Sequence, residues 1–177
     1  DPGDLIPLAA LAAGFHELGH WTAVRLMGGE VRVLRLTVTG GNMELDHRRP
    51  LTYGGELAAI LAGPGVNLLL ALLCARLGGE REALYALSGL SLALGWFNLL
   101  PIYPLDGGRA LLLILSAFTT HGRARQPVWG CSVILVALLL AACMSLLWRG
   151  GRNLTLLGMA LWLLCGLTRR EERRTPV

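Results

Sequence analysis

Residues 126–148 read QPVWGCSVILVALLLAACMSLLW, 23 positions without a charged side chain. A helix rises 1.5 Å per residue, so about 20 apolar residues cross a hydrocarbon core roughly 30 Å thick. The stretch is therefore long enough to span a bilayer, and it has company. Leu57–Ala75 gives 19 uncharged residues and Ala83–Leu105 gives 23. The chain of 177 residues is 54% hydrophobic and 16% charged; soluble domains sit near roughly 45–50% and 25%. This clustering excludes a disordered chain and argues against a soluble globular domain. The expectation is an all-α polytopic membrane protein with about five apolar helices.

The intervening segments refine it. A first helix is expected over about Leu5–Met27, stopped by Gly28-Gly29. In Glu30–His47 the β-formers Val31, Val33, Leu34, Leu36 and Val38 alternate with Arg32, Arg35 and Thr37, and Gly40-Gly41 divides them from Asn42–Leu45. That pattern predicts a short β-hairpin after the first helix. Asp46–Pro50 reads as a polar turn. Helices are expected over about Tyr53–Leu77, interrupted at Ala62–Asn67, and over about Arg81–Leu100. Pro101–Gly108 cannot be regular helix and predicts a broken intramembrane loop. Arg109–Thr120 is helical but only 12 residues long, too short to cross. After a loop at His121–Gln126, helices are expected over about Val128–Trp148 and Asn153–Thr168. The domain is expected to fill 1–168, with 169–177 a charged tail. The first residue is Asp1 and no signal peptide is visible, so a segment preceding Asp1 is expected.

The net charge is +4, and all 16 basic residues are Arg. They flank apolar segments instead of forming one stripe, which argues against nucleic acid as a partner. If Arg109–Thr120 does not cross, one face collects Arg32, Arg35, Arg48, Arg49, Arg123, Arg125 and four tail Arg. The positive-inside rule places that face in the cytoplasm. The four Cys lie in apolar runs at spacings that suit neither a zinc knuckle nor a disulfide framework.

The chemistry concentrates in His16-Glu17-Leu18-Gly19-His20. On a helix, positions i and i+4 share a face, so both imidazoles can reach one ion while Glu17 serves as general base; this is the HExxH arrangement of zinc hydrolases. A catalytic zinc has three protein ligands and an open position. His47 and His121 lie in Arg-rich polar loops, where a solvated His is the ordinary reading. Asp106 is the better third ligand: it is the only acidic residue between Glu82 and Glu171, and it sits in the loop that breaks the apolar run. Its plain alternative role is to cap the following helix, which is compatible with ligation. Asn67 and Asn98 are polar groups in long apolar runs. They either bridge helices or hold the substrate backbone near the metal.

The motifs His16–His20, Gly63-Pro64-Gly65-Val66-Asn67 and Asn98–Arg109, with its Pro101, Pro104, Leu105, Asp106, Gly107 and Gly108, together resemble the site-2 protease family of intramembrane zinc metalloproteases. Within it the resemblance is to the bacterial sporulation branch that processes a pro-sigma factor. The resemblance covers about Leu5–Phe118. It implies a Zn²⁺ cofactor on His16, His20 and Asp106, and Glu17 activating water. It also implies a membrane protein or membrane-associated pro-protein as substrate. The expected location is the bacterial cytoplasmic membrane, with the active site toward the cytoplasm. Two other classes compete: a zinc-binding membrane protein without protease activity, which the presence of Glu17 argues against, and a transporter, which leaves HExxH unexplained.

Overall fold

The computed structural model describes residues 2–37, 40–45, 50–79, 81–148 and 154–172. These form two compact units, Asp1–Leu99 and Leu100–Val177. Residues 46–49 of the expected surface turn, His47 among them, lie outside the described residues. So do Arg149, Arg152 and the tail beyond Glu172.

The first unit contains α1 (Pro2–Leu26), strands β1 (Val31–Thr37) and β2 (Gly40–Leu45), α2 (Tyr53–Leu77) and α3 (Glu82–Asn98). Helix α1 ends where the glycine pair requires it. Gly28 takes φ 78°, a left-handed value that costs glycine nothing, and the Gly28 and Gly29 N–H groups reach back to the carbonyls of Arg25 and Val24. This paired bonding is the Schellman stop. Strands β1 and β2 pair antiparallel, with Leu34 opposite Met43 and an irregularity between Val31 and Val33. Helix α2 starts at a Thr52 cap whose hydroxyl accepts from the Gly55 N–H at 3.2 Å.

Helix α2 runs unbroken through Ala62–Asn67, against the expected interruption. Pro64 removes one helical hydrogen bond, but it is fully buried, and the neighbouring Gly95 of α3 lets that helix approach the Pro64 carbonyl. Burial in close helix packing outweighs the local defect. Ser88 ties α3 to α2 by donating to the Ala71 carbonyl at 2.7 Å. Ala12, Cys74 and Leu87 form the apolar core where the three helices meet.

The second unit contains α4 (Asp106–Phe118), α5 (His121–Trp148) and α6 (Leu154–Glu172). Among the described residues the helices thus number six, one for each expected helical segment, with shifted ends. Helix α4 begins at Asp106 itself. The expected loop at His121–Gln126 is instead the first turns of α5, opened by the Thr120 carbonyl accepting from the Arg123 and Ala124 N–H groups. Polarity had pointed to a loop there, but Arg, Ala and Gln are good helix formers. Leu112, Ala124 and Val128 make the core between α4 and α5. Among the described residues, two helices are long and apolar enough to cross a membrane, α2 and the 122–148 portion of α5. Only 17% of the apolar window of α5 is buried, which leaves a long apolar surface for lipid.

Candidate metal centre

Helix α1 sets His16 and His20 one turn apart, and their Nε2 atoms face each other at 3.1 Å. The rings stand edge to face at 85°, with centroids 4.7 Å apart. His16 is buried and His20 half-buried. Glu17, beside His16, is half-buried.

Both outer ring nitrogens turn to α2. The Ala59 carbonyl lies 2.8 Å from His20 Nδ1, so Nδ1 carries the hydrogen and donates it, and the lone pair of the neutral ring lies on Nε2. Asn67 Nδ2 lies 3.3 Å from His16 Nδ1. Between these two partners, Gly63 makes the room: a Cβ there would overlap the His20 ring, at 2.5 Å from Cε1 and 2.8 Å from Cδ2. Ala59, Gly63 and Asn67 recur every four residues and so lie along one face of α2. The two helices come close because Gly19 has no side chain; a Cβ would sit 2.8 Å from the Ala62 carbonyl oxygen.

This pair fits a metal. Two nitrogens bound to one tetrahedral zinc at about 2.0–2.1 Å stand roughly 3.3–3.4 Å apart. The 3.1 Å between the Nε2 atoms is close to that span. A ligand imidazole whose other nitrogen is fixed by a carbonyl is also the usual outer-shell arrangement.

In the second unit, Asp106 is the buried first residue of α4. Its Oδ1 lies 3.8 Å from Nη1 of Arg109, one turn along, whose side chain is half exposed. The chain before it is a tight series of turns, in which Ile102 N–H donates to the Leu100 carbonyl and Leu105 N–H to the Ile102 carbonyl. The Tyr103-Pro104 bond is cis. Ser132 of α5 anchors these turns: its hydroxyl accepts from the Tyr103 N–H at 2.9 Å and donates to the Val128 carbonyl at 2.7 Å. Gly108 lets α4 lie against the loop, since a Cβ would come within 2.5 Å of Ile102 C and Tyr103 N.

The residues singled out in the sequence are thus placed as follows. His16, His20 and Asn67 meet within the first unit, and Asp106 opens α4 in the second. Asn98 closes α3, with its side-chain nitrogen donating to the Leu94 carbonyl of the same helix at 3.0 Å. Sequence reading missed Ala59 and Ser132. Ser132 carried a faint signal as a polar residue in an apolar run, whereas the Ala59 contact is a backbone atom and carries none.

Comparison with known proteins bears on this site. Residues 77–142, which include Asp106, match Peptidase family M50. A zinc metalloprotease of Methanocaldococcus jannaschii is 34% identical over 119 residues, 63% of this chain and 34% of that protein. Rip3 of Mycobacterium tuberculosis, which carries the name of a zinc metalloprotease, is 31% identical over 189 residues, 97% of this chain and 46% of that one. Stage IV sporulation protein FB of Bacillus subtilis is 31% identical over 105 residues, 57% of this chain and 36% of its own length. The chain spans less than half the length of these curated relatives. Among solved structures, the site-2 protease from Methanocaldococcus jannaschii superposes with a TM-score of 0.71 at 28% identity, covering 94% of this chain and 76% of that one.

Proposed function

We propose, from the match of residues 77–142 to peptidase family M50 and the superposition on a site-2 protease, that the chain is an intramembrane zinc endopeptidase of that family. It hydrolyses a peptide bond in or near a transmembrane segment of a membrane protein or membrane-associated pro-protein. The observation that carries this reading is the convergence of His16 Nε2 and His20 Nε2 at 3.1 Å, with the His20 tautomer pinned by the Ala59 carbonyl. Asp106 is the third ligand. Two imidazoles and one carboxylate are a catalytic zinc donor set that leaves a position for water.

A zinc ion held there supplies Lewis acidity, polarising the scissile carbonyl and making water acidic enough to ionise near neutrality. Glu17 accepts the proton of the attacking water and delivers it to the leaving amine. Asn98, at the end of α3, is the candidate donor to the substrate backbone. A helical substrate must first be unwound, and the β1–β2 ladder offers an edge on which an extended segment can add as a strand. The membrane is the bacterial cytoplasmic membrane, and the distribution of Arg supports a site turned toward the cytoplasm.

The test is co-expression with tagged candidate membrane substrates. Glu17→Gln is expected to lower cleavage by at least roughly 10²–10⁴-fold while zinc content stays at the wild-type level. Asp106→Ala is expected to lose zinc. Cleavage by Glu17→Gln at the wild-type rate would overturn the mechanism, and full zinc in Asp106→Ala would overturn the ligand set.

A further inference from the structure

Asn67 is fully buried, and its Oδ1 has no hydrogen-bond partner among the described residues, while its Nδ2 faces His16 Nδ1 at 3.3 Å. A buried amide oxygen without a donor is costly and calls for an explanation. The ring chemistry of the pair supplies one. His20 gives its hydrogen to the Ala59 carbonyl through Nδ1, so His20 Nε2 is an acceptor. Without a metal, His16 satisfies it by carrying its own hydrogen on Nε2, across the 3.1 Å gap. His16 Nδ1 is then bare and accepts from the Asn67 NH₂, which is the orientation seen.

Holding a metal through Nε2 reverses every one of these roles on His16. Its Nε2 must present a lone pair, so a neutral ring carries hydrogen on Nδ1. That N–H now needs an acceptor, and an NH₂ group facing it is the wrong polarity. Asn is suited to this reversal because its amide offers an acceptor and a donor of nearly equal size, exchanged by a half-turn about the side-chain bond. Rotation brings Oδ1, the atom without a partner, onto His16 Nδ1.

We infer that Asn67 is a positioning residue for His16: its side-chain carbonyl fixes the imidazole in the tautomer that presents Nε2 to the metal, and its amide turns over when the metal is bound or lost. This rests on the zinc reading above. It assigns the two ligands different supports on one face of α2. Ala59 holds His20 in one tautomer permanently, whereas Asn67 accommodates both tautomers of His16.

Two measurements test it. The first uses the full chain with ¹⁵N-labelled histidine in detergent, its His16 signals assigned by substitution, with and without added zinc. The expected result is that the His16 hydrogen moves from Nε2 to Nδ1 on loading, while the His20 hydrogen stays on Nδ1. A His16 hydrogen on Nε2 in the loaded protein overturns the inference. The second is zinc affinity by chelator competition. Asn67→Leu, which has similar volume and no polar atom, is expected to bind roughly 10–100-fold more weakly, the usual effect of losing an outer-shell partner. Asn67→Asp, which retains the acceptor, is expected to recover most of that loss. Wild-type affinity in Asn67→Leu, or equal losses in both variants, overturns the inference. Failure of the wild-type chain to bind zinc at all would instead sink the function on which it rests.

Discussion

Gly63→Ala tests how tightly α2 holds His16 and His20, the proposed metal ligands on α1. The added Cβ would stand 2.5 Å from His20 Cε1, where carbon atoms normally keep about 3.5 Å apart. One of the two must give by about 1 Å. Helix α2 is constrained, because Pro64 beside it is fully buried and Gly19 of α1 already lies against the Ala62 carbonyl. The imidazole therefore moves, and metal–ligand distances tolerate only about 0.2 Å. Displacement also strains the 2.8 Å bond from His20 Nδ1 to Ala59. A loss of roughly 10–100-fold in zinc affinity follows, or about 1.4–2.7 kcal/mol, and peptide cleavage should fall on the order of 10²-fold. The assay is chelator competition on purified protein, with thermal unfolding in the same detergent to establish folding. Gly65→Ala is the matched control: a Cβ there meets nothing within 4 Å, and replacing a helical glycine should stabilise by up to about 1 kcal/mol. Wild-type zinc affinity in Gly63→Ala, or equal losses in both variants, would refute the reasoning.

Gly108→Ala should lower thermal stability by about 1–3 kcal/mol, since its Cβ would collide with backbone that cannot swing away; an unchanged melting temperature would contradict this. Ser132→Ala should cost about 1–3 kcal/mol by stranding the Tyr103 N–H, with Ser132→Thr recovering part of it in the same unfolding measurement. Gly28→Ala should cost about 1–2 kcal/mol, because φ 78° is strained for any residue with a side chain; chemical denaturation against the Gly14→Ala control, where a Cβ meets nothing within 4 Å, reads it out.

Much of this arrangement was legible. The four-residue spacing of His16 and His20 needs only a helix to bring both rings to one side, and an apolar run supplies it. Asp106 stood out because acid is absent from the residues on either side of it. The errors came from reading residues one at a time. Ala62–Asn67 looks like a break if Gly63 and Pro64 are weighed by propensity, but their value lies in what approaches them: Gly63 admits an imidazole and Pro64 packs under α3. His121–Gln126 looks like a loop because it is polar, yet helix formation depends on backbone freedom more than on polarity, and Thr120 provides the start. The carbonyl that pins His20 could not be read at all, since every residue has one.

That carbonyl has an evolutionary consequence. A side-chain support can be lost in one nucleotide change, but the bond to His20 Nδ1 comes from the main chain at Ala59 and does not depend on the chemistry of its side chain. The bond that sets the tautomer of His20 therefore has no side-chain signature, and an alanine scan along α2 would pass over it without a signal. The vulnerability reappears one turn later. At Gly63 the support consists of an absence of atoms, so any side chain is an intrusion. The two sites invert the usual expectation: the position that makes the hydrogen bond does so without its side chain, and the position that touches the ring with nothing is the one where an added side chain does the damage.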